Sequence, residues 1–178
     1  MTDIPVLHDE HRSDRIALRE MMRAIADGIN QRDWESLRPW LDPEVQVTMI
    51  DQVTLHGPEA LFDYVESKLE RYGSILTGLT VDPSLSTPAV FHGDAAVVSL
   101  HSADRFHFRT GQEILVQSTY TATMVKKGES WKLAALHAGV NAFQNPISDQ
   151  KQKLFGVGVA VAAIGGLVLG SLLGGRGD

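Results

Sequence analysis

The 178-residue sequence predicts an α+β domain, with helices first and an antiparallel meander after them, followed by one separate apolar helix. Three observations carry that expectation. Leu18, Met21, Met22, Ile25 and Ile29 recur at the i, i+3, i+4, i+7, i+11 spacing of an amphipathic helix. From residue 76 onward the apolar period changes from that of a helix to that of a strand, with turn signals between the runs. Residues 154–173 then carry no charge at all.

The elements follow in order. Residues 1–11 read as a loose polar lead-in. Ser13 is placed to cap the first helix, with Asp14 in its first turn. "DWESLRPWL" fits a short second helix, capped by Asp33, with Trp34, Leu37 and Leu41 turned inward. "EVQVTMI" alternates as a strand does. "GPEALFDYVESKLERYG" places Pro58 in a helix first turn, buries Leu61, Phe62, Val65 and Leu69, and stops at Gly73. "LTGLTV", "AVFH", "AAVVSLHSADRFHF", "QEILVQSTYTATMVKK" and "SWKLAALHAGVN" read as strands, divided at Gly93-Asp94, Thr110-Gly111 and Lys127-Gly128. The helices are expected to pack on one face of a curved, mostly antiparallel sheet.

Composition excludes several classes of chemistry. There is no cysteine, so there is no disulfide, thiolate metal site or cysteine nucleophile. The formal charge is −6; Lys151, Lys153 and Arg176 against Asp178 give residues 151–178 a local +2, which leaves −8 on residues 1–150. An acidic head of that kind is repelled by nucleic acid, so no nucleic-acid partner is expected. The N-terminus lacks a basic leader followed by an apolar run, and is not read as a secretory signal. No phosphate loop, dinucleotide fingerprint or nucleophile elbow occurs, and no cofactor is expected.

Residues 154–173 hold 14 apolar residues, five glycines and Ser171. As a helix they reach about 30 Å, the thickness of a bilayer's hydrocarbon core. Glycine costs a helix in water about 1 kcal/mol against alanine, whereas membrane helices carry it more freely. The expectation is a transmembrane tail anchor, joined by a linker at 146–153 and followed by a short tail at 174–178. Gly158, Ala162, Gly166, Gly170 and Gly174 fall at every fourth position, a small-residue stripe for helix–helix packing. Lys151 and Lys153 precede the span and only Arg176 follows it, so the N-terminal domain is expected on the cytoplasmic side. The closing Arg-Gly-Asp is read as coincidence.

The order of elements, together with "INQRDWESLRPWLDPEVQV", "HGPEALFDYV" and "YTATMVKKGESWKLAALHAGVNAF", resembles the SnoaL-like branch of the nuclear transport factor 2-like superfamily over residues 12–145. That resemblance implies a cone-shaped half-barrel with three helices, usually dimeric, enclosing a pocket between sheet and helices. The superfamily holds isomerases, cyclases, dehydratases, binding domains and assembly modules, so the fold does not fix the chemistry. Its ketosteroid isomerases use a tyrosine, a general-base aspartate and a protonated aspartic acid. An ungapped match puts Ile25, Thr48 and Thr121 at those positions, and none of the three can do that work.

Candidate catalytic residues are Asp51, three positions past the base position, with Tyr120 and His137. Strand alternation predicts that Trp131, Leu133, Ala135 and His137 share one face. A histidine there would suit proton transfer on an apolar substrate; the alternative is a satisfied, partly buried histidine closing the sheet. His101 and His107 share a strand face about 20 Å apart and cannot jointly hold a metal. His8 and His11 are placed in the loose terminus. Asp104, Arg105 and Arg109 are read as a solvated strand end. Two functions are compatible with these residues: a membrane-tethered, dimeric binding or assembly module with a pocket for a small apolar ligand, or a membrane-anchored enzyme acting on a lipid-soluble small molecule.

Overall fold

The computed structural model describes residues 10–140. The expected tail anchor, its glycine stripe and the linker lie outside them. Among the described residues no helix is long and apolar enough to cross a membrane.

Three helices, α1 (Arg12–Gln31), α2 (Trp34–Leu37) and α3 (Gly57–Arg71), are combined with eight strands. A 3-10 turn over Arg38–Trp40 continues α2. The strands are β1 (Leu41–Thr48), β2 (Thr54–His56), β3 (Leu76–Thr80), β4 (Pro83–Leu85), β5 (Val90–His92), β6 (Ala95–Phe108), β7 (Glu113–Lys127) and β8 (Ser130–Val140). They form one curved, open sheet in the order β2-β1-β8-β7-β6-β3, with β4 and β5 also paired to β6. Every pairing is antiparallel except β1 with β8. The α+β class and the helices-then-meander order are those the sequence predicts.

Local chemistry explains where the elements begin and end. Asp33 caps α2 by accepting from the Ser36 N–H at 3.2 Å, as expected. α1, however, starts at Arg12 with His11 as its cap residue and no side-chain cap bond, so Ser13 lies inside the first turn rather than before it. His11 is not loose: its ring stacks on Phe91 with centroids 4.1 Å apart. Asp14 accepts from the Lys126 ammonium and the Trp131 indole N–H, each at 2.9 Å, and so ties the start of α1 to the β7–β8 hairpin. At the far end of α1, Asn30 both donates to the Val81 carbonyl at 3.0 Å and accepts from the Val81 N–H at 2.7 Å. The helix is thus held to the sheet side at each end.

The main core joins Leu18 and Met21 of α1 to Leu37, Phe62, Val45, Val47 and the inner faces of β6, β7 and β8. A smaller cluster of Leu69, Leu76, Phe106, Phe108 and Val116 closes the other end. In the two-residue loop between β7 and β8, Gly128 takes φ +64°, a conformation that suits a tight hairpin and resists a side chain.

One irregularity decides which residues face inward. Thr123 pairs with Ala135 and Met124 with Leu133, so Ala134 is an extra residue in β8. A β-bulge of this kind reverses the alternation beyond it. Trp131 and Leu133 point to the core, and after the bulge Leu136 and Ala138 do so instead.

Candidate functional site

Between α1, α3 and the concave face of the sheet lies a cavity of about 480 Å³, a size ordinary for small-molecule sites. Met22, Ile25 and Ile29 form its roof on α1, because the apolar stripe is wider than the contacts that bury Leu18 and Met21. Leu61, Phe62 and Val65 of α3 and Trp34 of α2 form one wall. The floor is Val98, Leu100, Tyr120, Ala122, Met124, Leu133 and Leu136. Arg15 and Arg19 are the charged side chains of the lining.

The floor carries one polar cluster. The Tyr120 hydroxyl donates to Asp104 Oδ2 at 2.7 Å, and the Ser102 hydroxyl donates to Asp104 Oδ1 at 2.5 Å. Ser102 Oγ in turn accepts from the Asp82 N–H at 3.2 Å. Asp104 is 5% exposed, and among the described residues no cation is paired with it. Burial, and then the Asp104 carboxyl beside it, raise the Tyr120 phenol well above its ordinary value. Tyr120 is therefore a neutral group whose proton is directed to Asp104. Ser102 and Tyr120 line the cavity, whereas Asp104 stands behind them.

The three predicted site residues are not brought together. Tyr120 lines the cavity, on the inner face of β7. His137 is exposed on the outer face, opposite Thr121, because the Ala134 bulge moves it off the face that holds Trp131 and Leu133. It is neither a pocket residue nor a partly buried histidine closing the sheet. Asp51 sits in the turn between β1 and β2, outside the cavity lining. Burial pushes its carboxyl up, yet the Tyr64 hydroxyl at 2.5 Å, the Lys68 ammonium at 3.2 Å and the Val53 N–H together hold it below its ordinary value. Of the positions matched to the ketosteroid isomerases, Ile25 lines the cavity, while Thr48 and Thr121 do not.

Asp104 is not part of a solvated strand end. It lies on the same face as Ser102, Phe106 and Phe108, all buried. The signal was present in "SLHSADRFHF", where alternation puts that aspartate between core positions. Arg15 and Arg19 also went unmarked, although each lies one position along from a stripe residue or within a turn of one. His101 and His107 do share the outer face of β6, where His107 is bonded to Thr80 and Glu113. Among the described residues no group of histidines and carboxylates could hold a metal.

No protein-family model and no curated protein matches the sequence. Solved structures do. A hexachlorocyclohexane dehydrochlorinase of LinA type 3 from Novosphingobium barchaimii is 18% identical over 72% of this chain and 87% of its own, with a TM-score of 0.64. A protein from Novosphingobium aromaticivorans, provisionally assigned as a scytalone dehydratase, is 17% identical over 75% of this chain and 87% of its own, with a TM-score of 0.62. A nuclear transport factor 2-like superfamily protein from Salmonella enterica is 15% identical over 73% of this chain and 92% of its own, with a TM-score of 0.60. The fold is that of the nuclear transport factor 2-like proteins. Within the nuclear transport factor 2-like fold, the cavity described here occupies the space between the helices and the concave face of the sheet.

Proposed function

We propose that the described domain binds a small apolar molecule in the cavity beneath α1. The observation that carries this reading is the wall itself: about 480 Å³ of space lined by aliphatic and aromatic side chains, with polar side chains confined to Tyr120, Ser102 and the rim. Apolar surface left facing a void of this size gains free energy when a ligand covers it, at roughly 25 cal/mol per Å² removed from water. Fold relatives that include a dehydrochlorinase and a provisionally assigned dehydratase support small-molecule binding or an enzyme-like domain.

Binding is favoured over catalysis because Asp51 and His137 lie away from the cavity and Asp104 is covered by the two hydroxyls it accepts from. A general base must reach the proton that it removes. If the domain is an enzyme, Tyr120 is a polar side chain placed to touch the substrate, and Tyr120→Phe would abolish turnover of any lipid-soluble substrate.

The wider proposal is a tethered module. Residues 154–173 anchor the chain in a membrane with the domain on the cytoplasmic side, and the Gly158, Ala162, Gly166, Gly170, Gly174 stripe packs against a second copy, beside a dimer of the domains. Gly166→Leu with Gly170→Leu would then weaken crosslinking of the full-length chain in membranes; unchanged crosslinking would refute the stripe's role.

The binding reading is tested with an ω-bromo alkyl alcohol of medium chain length. Trp34 lines the cavity while Trp40 and Trp131 do not, so bromine inside quenches one tryptophan. Saturable quenching that is lost in Trp34→Phe is expected. Linear, unsaturable quenching would refute the pocket.

A further inference from the structure

Resting on that binding reading, we infer that the ligand is an amphipathic anion: a carboxylate at the Arg15–Arg19 rim, with an apolar body running inward along α1. The cavity has two chemically opposite ends. At one, Arg15 and Arg19 lie four residues apart on one helix, so their side chains are neighbours on a single face. Arg15 is fixed in place, with its guanidinium donating to the Ala89 carbonyl at 2.8 Å and lying 5.0 Å over the Phe91 ring. Arg19 is exposed beside it. Guanidinium groups match carboxylates geometrically, through paired N–H donors.

At the other end, Ser102 and Tyr120 have both turned their protons toward Asp104. What they offer a ligand is oxygen lone pairs, backed by a buried carboxyl group. The register places this end level with the C-terminal part of α1: Asn30 binds Val81, and the next residue, Asp82, donates to Ser102. That is roughly 20 Å along the helix from the arginines, at 1.5 Å per residue. An anionic head finds both hydroxyl protons at the inner end already committed to Asp104 and finds guanidinium donors at the rim. Both ends therefore orient the same molecule the same way. A neutral ligand would make no ion pair at the rim, and a cationic one would be repelled where it enters.

The test compares three ω-bromo probes of identical chain, a carboxylic acid, an alcohol and an amine, by quenching of Trp34 in the full-length protein. The acid is expected to bind about tenfold more tightly than the alcohol, the low end for a charge-assisted pair at an exposed rim, with the amine weakest. Arg19→Gln, at an exposed position, should erase the preference of acid over alcohol, and Arg19→Lys should retain most of it. Equal affinities of acid and alcohol, or a preference that survives Arg19→Gln and Arg15→Gln together, would overturn the head-group inference while the alcohol's saturable binding upholds the cavity. If no probe quenches Trp34 saturably, the cavity reading fails as well.

Discussion

Tyr120 donates its hydroxyl to Asp104 across two strands, at 2.7 Å, from a position opposite Leu100 rather than opposite Asp104 itself. The contact is diagonal on the inner face of the β6–β7 pair, since Asp104 is registered with Val116. A carboxyl group buried on a sheet floor is costly unless its oxygens are satisfied, and Tyr120 and Ser102 satisfy one each.

Removing either donor should therefore cost more than an average hydrogen bond. Tyr120→Phe and Ser102→Ala are each expected to lower stability by about 1–3 kcal/mol, because a buried acceptor is left with one partner fewer. The two losses should not add, since both act on one carboxyl. Urea unfolding of the two single variants and the double variant measures this; additive losses would show that the cluster does not act as a unit.

Alkaline behaviour follows from the same contacts. Burial, and then Asp51, raise Tyr64 above its ordinary value, as burial and Asp104 raise Tyr120. The folded state thus holds phenol protons that the unfolded chain releases near pH 10. The stability these protons contribute is fully present below about pH 10 and is lost as pH rises above it. Ultraviolet titration should show Tyr64 and Tyr120 ionising late, and one late phenol fewer in Tyr120→Phe.

At the acid end the sign reverses. The Lys126 and Trp131 bonds hold Asp14 below its ordinary value, the Lys127 ammonium does so for Asp42, and Asp51 is held down despite its burial. A depressed carboxyl contributes stability above its unfolded value of about 3.9, and that contribution is lost as pH falls through the folded value. Stability should be steady near neutrality and decline below about pH 4. Asp51→Asn should flatten that decline; an unchanged acid slope would place the linkage elsewhere.

Gly28 is a helix glycine that should not be improved. A Cβ there would come within 2.6 Å of Leu37 Cδ2 and 2.7 Å of Ser36 Oγ. Leu37 is 2% exposed, so the added methyl would have to displace a core side chain. Alanine would gain about 1 kcal/mol of helix propensity, against an overpacking cost of about 1–3 kcal/mol. Gly28→Ala is expected to be destabilising on thermal unfolding, whereas the same change on an exposed helix face stabilises.

What was legible in the sequence was periodicity. The helical stripe from Leu18 to Ile29 and the alternation of β6 and β7 marked the α+β class and the order of elements, while the pocket between sheet and helices was what the family resemblance implied. The position of His137 was not legible, because it depends on the single extra residue Ala134, which leaves no mark in the composition of "SWKLAALHAGV". The short strands β2 and β4 were also unmarked, since three residues carry too little pattern to stand out from a turn. Asp104 was readable in principle. Its charge argued for solvent, while its parity with Ser102, Phe106 and Phe108 argued for the core, and the structure follows parity.

The central claim is a filled cavity, and native mass spectrometry of the full-length protein tests it most directly. The wild type should carry a small apolar molecule that leaves on collisional activation. Ala122→Phe, which fills the floor from a lining position, should fly empty. A ligand-free wild type, or an adduct that persists in the filled variant, would contradict the account.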